Sequence, residues 1–406
     1  MTQQTVRRRH VFFISGFDPK GAAYYHRLYE SGAARQQLAS RQAYEVSSRK
    51  RTEDLDVQQW RILWQSAPSD LAVRVDTTLE FLAWDDLVRA NWPRGVASML
   101  WGSLRAYVAA LSSRPALLRV WQQSPRTLIA LAYPVLVWSA ALLIGILLAW
   151  LAVQITHRVE AFSAWTPNAK SICSWALAAA ALTFSCWTAL LLERKLQTSW
   201  LLRIYRFTDL WARGQLPDLD ERLTKMARRV EERMRLQDTD EVLIVGYSVG
   251  SMLAASVVAR VLMHCGKEAS LVQRLSFLTL GQCIPLLGLM PRAGRFHGDL
   301  DVLAAAVDLC WVDYSSLADW GSFALVDPLV MCRSRPVGGR MLTPAMRSPR
   351  FHTLFEPEEY RLLRKSKRRM HLQYLMASPK AGGYDYFLMT AGPLRLSQGL
   401  LTGSSC

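Results

Sequence analysis

The chain has 406 residues, 51% of them hydrophobic, and a formal net charge of +16. This length accommodates one large catalytic domain with an insertion, and the hydrophobic share is high for a soluble enzyme. Seven cysteines with no Cys-x-x-Cys pair exclude a disulfide framework and a zinc site, and they fit a reducing compartment. The charge indicates nucleic acid or an anionic membrane as partner, and the hydrophobicity favours the membrane.

The first predicted element is a short apolar strand, His10–Ser15, which continues into a glycine-containing loop, Gly16–Gly21. Two interpretations of this loop stay open. It is either a functional loop beside a site or a simple turn, of which Asp18 and Pro19 are typical. Before residue 125 the pattern also predicts a helix and one or two further strands. The helix covers about Ala22–Ala39, and the strand or strands cover Asp70–Asp76 and Thr78–Trp84.

Two uncharged apolar stretches follow, Leu128–Val153 and Ile172–Leu192. Each reaches the roughly 20 residues that a helix needs to cross a membrane, and uncharged stretches of this length are rare in soluble cores. Lysine and arginine are frequent on both flanks, whereas the connecting loop holds only Arg158 and Lys170. The positive-inside rule therefore predicts a multi-pass protein of the inner membrane, with its catalytic part in the cytoplasm. The chain divides into residues 1–125, the transmembrane hairpin 126–195, and residues 196–406.

The most informative segment is the pentapeptide Gly246-Tyr-Ser-Val-Gly250. An apolar run, Glu241–Val245, precedes it, and a run of small residues, Ser251–Ala259, follows it. This context predicts a buried strand, a tight turn and a helix packed closely against a sheet. Ser248 at such a turn would point out at the top of the sheet, as a nucleophile does. An ordinary strand–turn–helix with a small residue at the turn is the structural alternative.

Further strands are predicted over Arg274–Leu280 and Leu309–Tyr314, and an amphipathic helix over Asp218–Leu236. Strands that alternate with helices indicate a parallel sheet. The sequence therefore predicts an α/β fold with a mostly parallel sheet, interrupted by the two-helix hairpin.

The arrangement resembles the α/β-hydrolase family: an early strand with a glycine-containing loop, a Gly-x-Ser-x-Gly elbow, then an acid and a histidine. The resemblance covers most of the chain outside the hairpin, and the elbow is its specific element. It implies a sheet of α/β-hydrolase type with Ser248 as the nucleophile. It also implies that the backbone N–H groups of Phe17 and Val249 form the oxyanion hole.

The resemblance leaves several candidates for the acid and the base. The family's acid follows the second strand after the elbow, which favours Asp319, whereas Asp313 lies within that predicted strand and Asp327 could cap a turn before Pro328. For the base, His371 is favoured over His352, because it has aromatic and aliphatic neighbours and a loop behind it. Each of these side chains also has an ordinary structural interpretation.

The expected function is that of a membrane-anchored serine hydrolase, which cleaves a small-molecule or lipid-derived carboxylic ester through an acyl-enzyme without a cofactor or metal. The alternative is a non-catalytic membrane protein that uses an α/β-hydrolase-like fold as an interaction module. No nucleic acid is expected as partner, because the densest basic run, residues 361–369, lacks interleaved aromatic residues. That run suits an anionic membrane surface.

Overall fold

The computed structural model describes residues 5–40, 42–53, 56–66, 73–93, 95–112, 114–158, 165–196, 198–265, 268–334 and 344–402. Within these ranges the chain has an α/β fold with one nine-stranded sheet. In chain order the strands are β1 (Arg8–Ile14), β2 (Ala43–Val46), β3 (Lys50–Arg51), β4 (Val57–Gln65), β5 (Arg74–Leu82), β6 (Glu241–Tyr247), β7 (Leu275–Leu280), β8 (Cys310–Tyr314) and β9 (Ala345–Arg347).

The helices before the nucleophile candidate include two long apolar ones. They are α1 (Ala22–Ser40), α2 (Asp85–Ala90), α3 (Val96–Ser112), α4 (Arg114–Gln123), α5 (Pro125–Arg158), α6 (Pro167–Leu196), α7 (Thr198–Ala212) and α8 (Pro217–Arg235). Most of the later helices are short. They are α9 (Gly250–Cys265), α10 (Ala269–Val272), α11 (Ile284–Gly288), α12 (Gly294–Ala305), α13 (Pro328–Met331), α14 (Phe351–Leu354), α15 (Pro357–Lys365), α16 (Lys367–Leu372), α17 (Tyr386–Ala391) and α18 (Leu396–Thr402), with a 3₁₀ turn at Gln373–Leu375.

The sheet has the strand order β2-β4-β5-β1-β6-β7-β8-β9, with β3 paired to β4. The six strands from β5 to β9 in this order are parallel, whereas β2, β3 and β4 form an antiparallel edge. The sheet is therefore mixed and mostly parallel. The order in which the strands are connected reverses between the parallel strands β1 and β6, and the carboxyl ends of strands beside such a switch point commonly border a ligand crevice.

Apolar layers cover both faces of the sheet. Along β6, Val242 and Ile244 belong to one core cluster, and Leu243 and Val245 belong to the cluster on the opposite face. All seven residues of β6 are buried. A central strand buried on both faces has no polar alternation, which is why the apolar run before Gly246 predicts this strand from sequence.

The antiparallel edge differs from the sequence prediction. Asp70–Asp76 and Thr78–Trp84 correspond to the single strand β5, and residues 70–72 lie outside the described part of the chain. The strands β2, β3 and β4 have no counterpart in the prediction. In β4, buried Trp60, Ile62 and Trp64 alternate with less buried residues, which are Gln59, Arg61, Leu63 and Gln65. This two-residue period is that of a strand covered on one face, and it lacks a continuous apolar run.

The hairpin consists of α5 and α6, both long and apolar enough to cross a membrane. Most side chains in their apolar windows are not buried inside the molecule. The two helices pack against each other, since the Ser185 hydroxyl donates to the carbonyl oxygen of Ala141 at 2.7 Å. The hairpin follows α4 and is followed by α7, so both of its ends connect to the part of the chain that contains the sheet.

Candidate active site

Ser248 lies in the turn between β6 and α9, at the carboxyl edge of the sheet. Its φ is +56°, a left-handed conformation that costs a serine roughly 1–3 kcal/mol. Its N–H donates to the carbonyl oxygen of Leu280 at 2.9 Å, which ties the turn to β7. A Cβ on Gly250 would lie 2.4 Å from the carbonyl oxygens of Ile14 and Ser15, so only glycine lets α9 begin this close to β1.

Ser248, His371 and Asp319 form one chain of hydrogen bonds. His371 Nε2 lies 2.8 Å from Ser248 Oγ, and His371 Nδ1 lies 2.8 Å from Asp319 Oδ2. The three residues are 2%, 5% and 3% exposed, respectively. They are 123 and 52 positions apart in the sequence, so the fold brings together the serine, the histidine and the aspartate that the sequence favours.

Asp319 is held in a loop that begins directly after β8. The N–H of Gly321 donates to Asp319 Oδ1 at 2.9 Å, while Oδ2 faces His371. Burial alone would raise the pKa of Asp319, but the charge and hydrogen bond of His371 and the bond from Gly321 lower it below its usual value. The side chain is therefore a carboxylate at neutral pH, as a group that orients a histidine must be.

Two aromatic side chains absent from the sequence prediction hold His371 in place. The Tyr247 hydroxyl donates to the His371 carbonyl oxygen at 3.1 Å, and the two ring centroids are 5.2 Å apart. The indole of Trp200 lies edge-on to the imidazole at 5.9 Å. Tyr247 is the variable residue before Ser248 in the pentapeptide, a local signal. Trp200 belongs to α7, and nothing in its sequence neighbourhood indicates this contact.

The loop after β1 lies directly against the serine. A Cβ on Gly16 would be 3.0 Å from Ser248 Cβ and 3.3 Å from its Oγ. Among the described residues, neither the Phe17 N–H nor the Val249 N–H donates to another group. Both N–H groups are therefore free to donate to a ligand oxygen. The Phe17 ring packs 5.0 Å from that of Phe207, which anchors the loop in the core.

The other acid and base candidates lie elsewhere. Asp313, inside β8, accepts hydrogen bonds from the hydroxyls of Thr279 and Ser315, each at 2.7 Å. Burial raises its pKa to about 7. Asp327 caps α13 by accepting from backbone N–H groups of its first turn. His352 lies on the exposed side of α14.

Ser248 opens into a cleft of about 460 Å³ that His371 also lines. Aromatic residues form much of its wall, and charged side chains stand among them. The aromatic residues are Phe17, Tyr24, Tyr25, Trp92, Trp200 and Tyr247, and the charged ones are Asp18, Lys20, Glu193, Arg203 and Arg368. A concave site with aromatic walls and a few polar groups suits a small organic ligand.

Cys283 is a second side chain that could act as a nucleophile in this region, and its environment argues against that role. The thiol donates to the carbonyl oxygen of Gly321 at 3.2 Å in a buried position. Burial raises its pKa to about 12, which leaves almost no thiolate at neutral pH. Within the described ranges, no group of three or more histidine, cysteine or carboxylate side chains is arranged to hold a metal ion.

Comparison of the chain with protein-family models, with curated proteins and with solved structures gives no match. Function therefore has to be inferred from the chemistry and geometry of the site, because a fold by itself does not define an activity.

Proposed function

We propose that this protein is a serine hydrolase of α/β-hydrolase type that cleaves a carboxylic ester through an acyl-enzyme. One observation carries the proposal. A serine in a left-handed turn after a central strand lies 2.8 Å from a histidine nitrogen, and the other nitrogen of that histidine lies 2.8 Å from a buried aspartate. Strained turn geometry is expected where a nucleophile must stand out of the backbone. The chain order Ser, Asp, His is also that of the α/β-hydrolase family.

In the proposed reaction, His371 Nε2 accepts the proton of the Ser248 hydroxyl while Oγ attacks the ester carbonyl carbon. Asp319 accepts the Nδ1–H of His371, which presents Nε2 to the serine and stabilises the imidazolium that forms. The proton then passes to the leaving alcohol. Water, deprotonated by His371, attacks the acyl-enzyme and releases the acid together with free Ser248.

The negative charge that develops on the carbonyl oxygen needs donors that are already in place. The unpartnered N–H groups of Phe17 and Val249 serve this role in our proposal. Val249 is the residue after the nucleophile, and Phe17 follows the neighbouring strand β1, which lies beside β6 in the sheet. Loss of one such donor typically lowers turnover by about 10²- to 10³-fold.

We further propose that α5 and α6 anchor the enzyme in a membrane, with the hydrolase part on the cytoplasmic side. Their exposed apolar side chains support this, since water would otherwise face them. An additional apolar stripe on α3 lies next to the hairpin in the chain. Its exposed members are Trp101, Leu104, Val108 and Leu111, at helical spacing. A lipid-derived ester would reach the cleft from this surface.

We expect the full-length protein to remain in the membrane pellet after extraction with carbonate at alkaline pH, detected by immunoblot. Leu143→Arg places a charge in the middle of α5, where it costs about 2.5–3.5 kcal/mol in lipid, and should reduce the pelleted fraction. Leu38→Arg is the matched control, because Leu38 is an exposed leucine on α1. Release of the unmodified protein into the supernatant would refute the membrane proposal.

The hydrolase proposal is tested by labelling with a fluorophosphonate probe, which reacts with activated serines. We expect stoichiometric labelling of the folded protein, with the probe on the peptide that contains Ser248 by mass spectrometry. Heat-denatured protein is the control, because the hydrogen bonds that activate the serine exist only in the fold. Folded protein that takes up no probe would favour the non-catalytic interaction module.

A further inference from the structure

Three cationic side chains line the cleft into which Ser248 opens: Lys20, Arg203 and Arg368. Two carboxylates, Asp18 and Glu193, line it as well. The proposed ester hydrolysis uses none of these five residues. Their arrangement therefore bears on which ester the cleft binds.

The two carboxylates are already engaged in local structure. Asp18 accepts the N–H of Lys20 at 3.0 Å and lies 3.9 Å from its ammonium group. Glu193 accepts the Ser199 N–H at 2.7 Å and the Thr198 hydroxyl, and so satisfies the start of α7. Within the described part of the chain, neither of the two cleft arginines forms an ion pair with a carboxylate. The cleft thus keeps two guanidinium groups outside direct ion pairs. Burial lowers the pKa of Arg203, and the charge of Glu193 acts on it in the opposite direction.

Arg203 is the more constrained of the two arginines. Its guanidinium lies 4.4 Å from the centroid of the Trp92 ring, and that ring stacks on Phe17 at 5.8 Å with an interplanar angle of 8°. The Arg203 Nε is buried and has no hydrogen-bond partner. Burial of this nitrogen without an acceptor is costly and leaves the cation poorly hydrated, and an anion bound in the cleft by the rest of the guanidinium would stabilise the charge. The stack of three side chains places this cation beside the loop that carries the Phe17 N–H.

We propose that the cleft selects acyl esters that carry a phosphate group, bound by Arg203 and Arg368 while the ester carbonyl lies at Ser248. This inference rests on the proposed hydrolase function and specifies its substrate class. Phosphate suits the site better than a carboxylate, because a phosphomonoester carries nearly two negative charges and three acceptor oxygens. Two guanidinium groups supply the planar donor pairs that such a group binds.

The test compares two monomeric esters that differ only in the phosphate: 1-hexanoylglycerol 3-phosphate and 1-hexanoylglycerol. We expect the detergent-solubilised full chain to hydrolyse the phosphate ester with at least a 10-fold higher kcat/KM. Arg203→Gln should lower this ratio about 10-fold, to near parity, since charge-assisted hydrogen bonds to the phosphate are lost. Arg203→Lys keeps the charge but loses the planar donors, and should restore part of the ratio.

Arg364→Gln is the matched control, because Arg364 is an exposed arginine on α15 that does not line the cleft. It should keep the ratio of the unmodified protein. Arg368→Gln removes the exposed cleft arginine, so it tests the same site if Arg203 variants lose their cooperative thermal transition. An unchanged ratio in both Arg203→Gln and Arg368→Gln would overturn the proposal.

A binding arm separates this inference from the hydrolase proposal. Calorimetric titration of Ser248→Ala protein with the same two esters needs no turnover. Preferential binding of the phosphate ester, lost in Ser248→Ala/Arg203→Gln, supports the anion site even if the unmodified protein hydrolyses neither ester. Hydrolysis of both esters at equal kcat/KM, with no difference in binding, overturns the inference and leaves the hydrolase proposal intact.

Presenting the oleoyl phosphate ester in vesicles then distinguishes a lipid headgroup from a soluble phosphoester. A rate in vesicles above that of the hexanoyl compound indicates a lipid headgroup, and a rate that is not higher indicates a soluble phosphoester.

Discussion

Ser248→Ala is expected to lower kcat for ester hydrolysis by about 10⁴-fold or more. The variant removes the only atom that can form the acyl-enzyme in the proposed reaction, and water in its place has no fixed position next to His371 Nε2. The measurement is the steady-state hydrolysis of 4-nitrophenyl butyrate by the full chain in detergent. KM should change much less than kcat, because the cleft walls that bind the ester remain.

Ser256→Ala is the matched control for this loss. Ser256 is buried on the same helix, α9, and its hydroxyl donates to Asp299 Oδ2 at 2.6 Å, away from the cleft. Its removal should cost about 1 kcal/mol of stability and leave kcat within about two-fold. Equal turnover by Ser248→Ala and the unmodified protein would mean that another group performs the chemistry.

The central part of the fold is predictable from sequence because its signals are local. The apolar run of β6, the pentapeptide and the small residues of α9 are adjacent in the chain, and each follows from one physical requirement. A strand buried on both faces must be apolar throughout. A helix whose first residue would clash with the carbonyl oxygens at the end of β1 must begin with glycine.

The parts that escape prediction depend on contacts between distant segments or on weak patterns. Sequence order can favour Asp319 and His371 among their rivals, but only the packed loops show which side chains meet Ser248. The contact of Arg203 with Trp92 joins residues on either side of the hairpin, and each residue alone has an ordinary sequence environment. The antiparallel edge is not predicted because β4 is about half polar. A segment with so many polar residues also resembles a loop, which hides its two-residue alternation.

Asp319→Asn is expected to lower kcat by about 10³- to 10⁴-fold while the fold is retained. The amide is nearly isosteric with the carboxylate, so the Gly321 N–H keeps an acceptor. It carries no negative charge to stabilise the His371 imidazolium, and its NH₂ group can force the imidazole into the wrong tautomer. The same ester assay, with the melting temperature measured in parallel, checks this result.

Asp313→Asn provides the matched comparison, because Asp313 is the other fully buried aspartate near the ends of these strands and was a candidate acid on sequence alone. It bonds to Thr279 and Ser315, not to the histidine. We expect Asp313→Asn to keep kcat within about three-fold. An equal loss of turnover in the two variants would contradict the assignment of Asp319 as the residue that orients His371.

The two aspartates should also differ in how they couple stability to pH. The lowered pKa of Asp319 means that its stabilising contribution is present above the unfolded value of about 3.9 and is lost only as pH falls through the lower folded value. The pKa of Asp313 is raised to about 7, so from about pH 4 to 7 the native state binds more protons than the unfolded chain, and its contribution weakens as pH rises. Asparagine at 313 cannot ionise. The melting temperature of Asp313→Asn should therefore rise relative to the unmodified protein between pH 5 and pH 8.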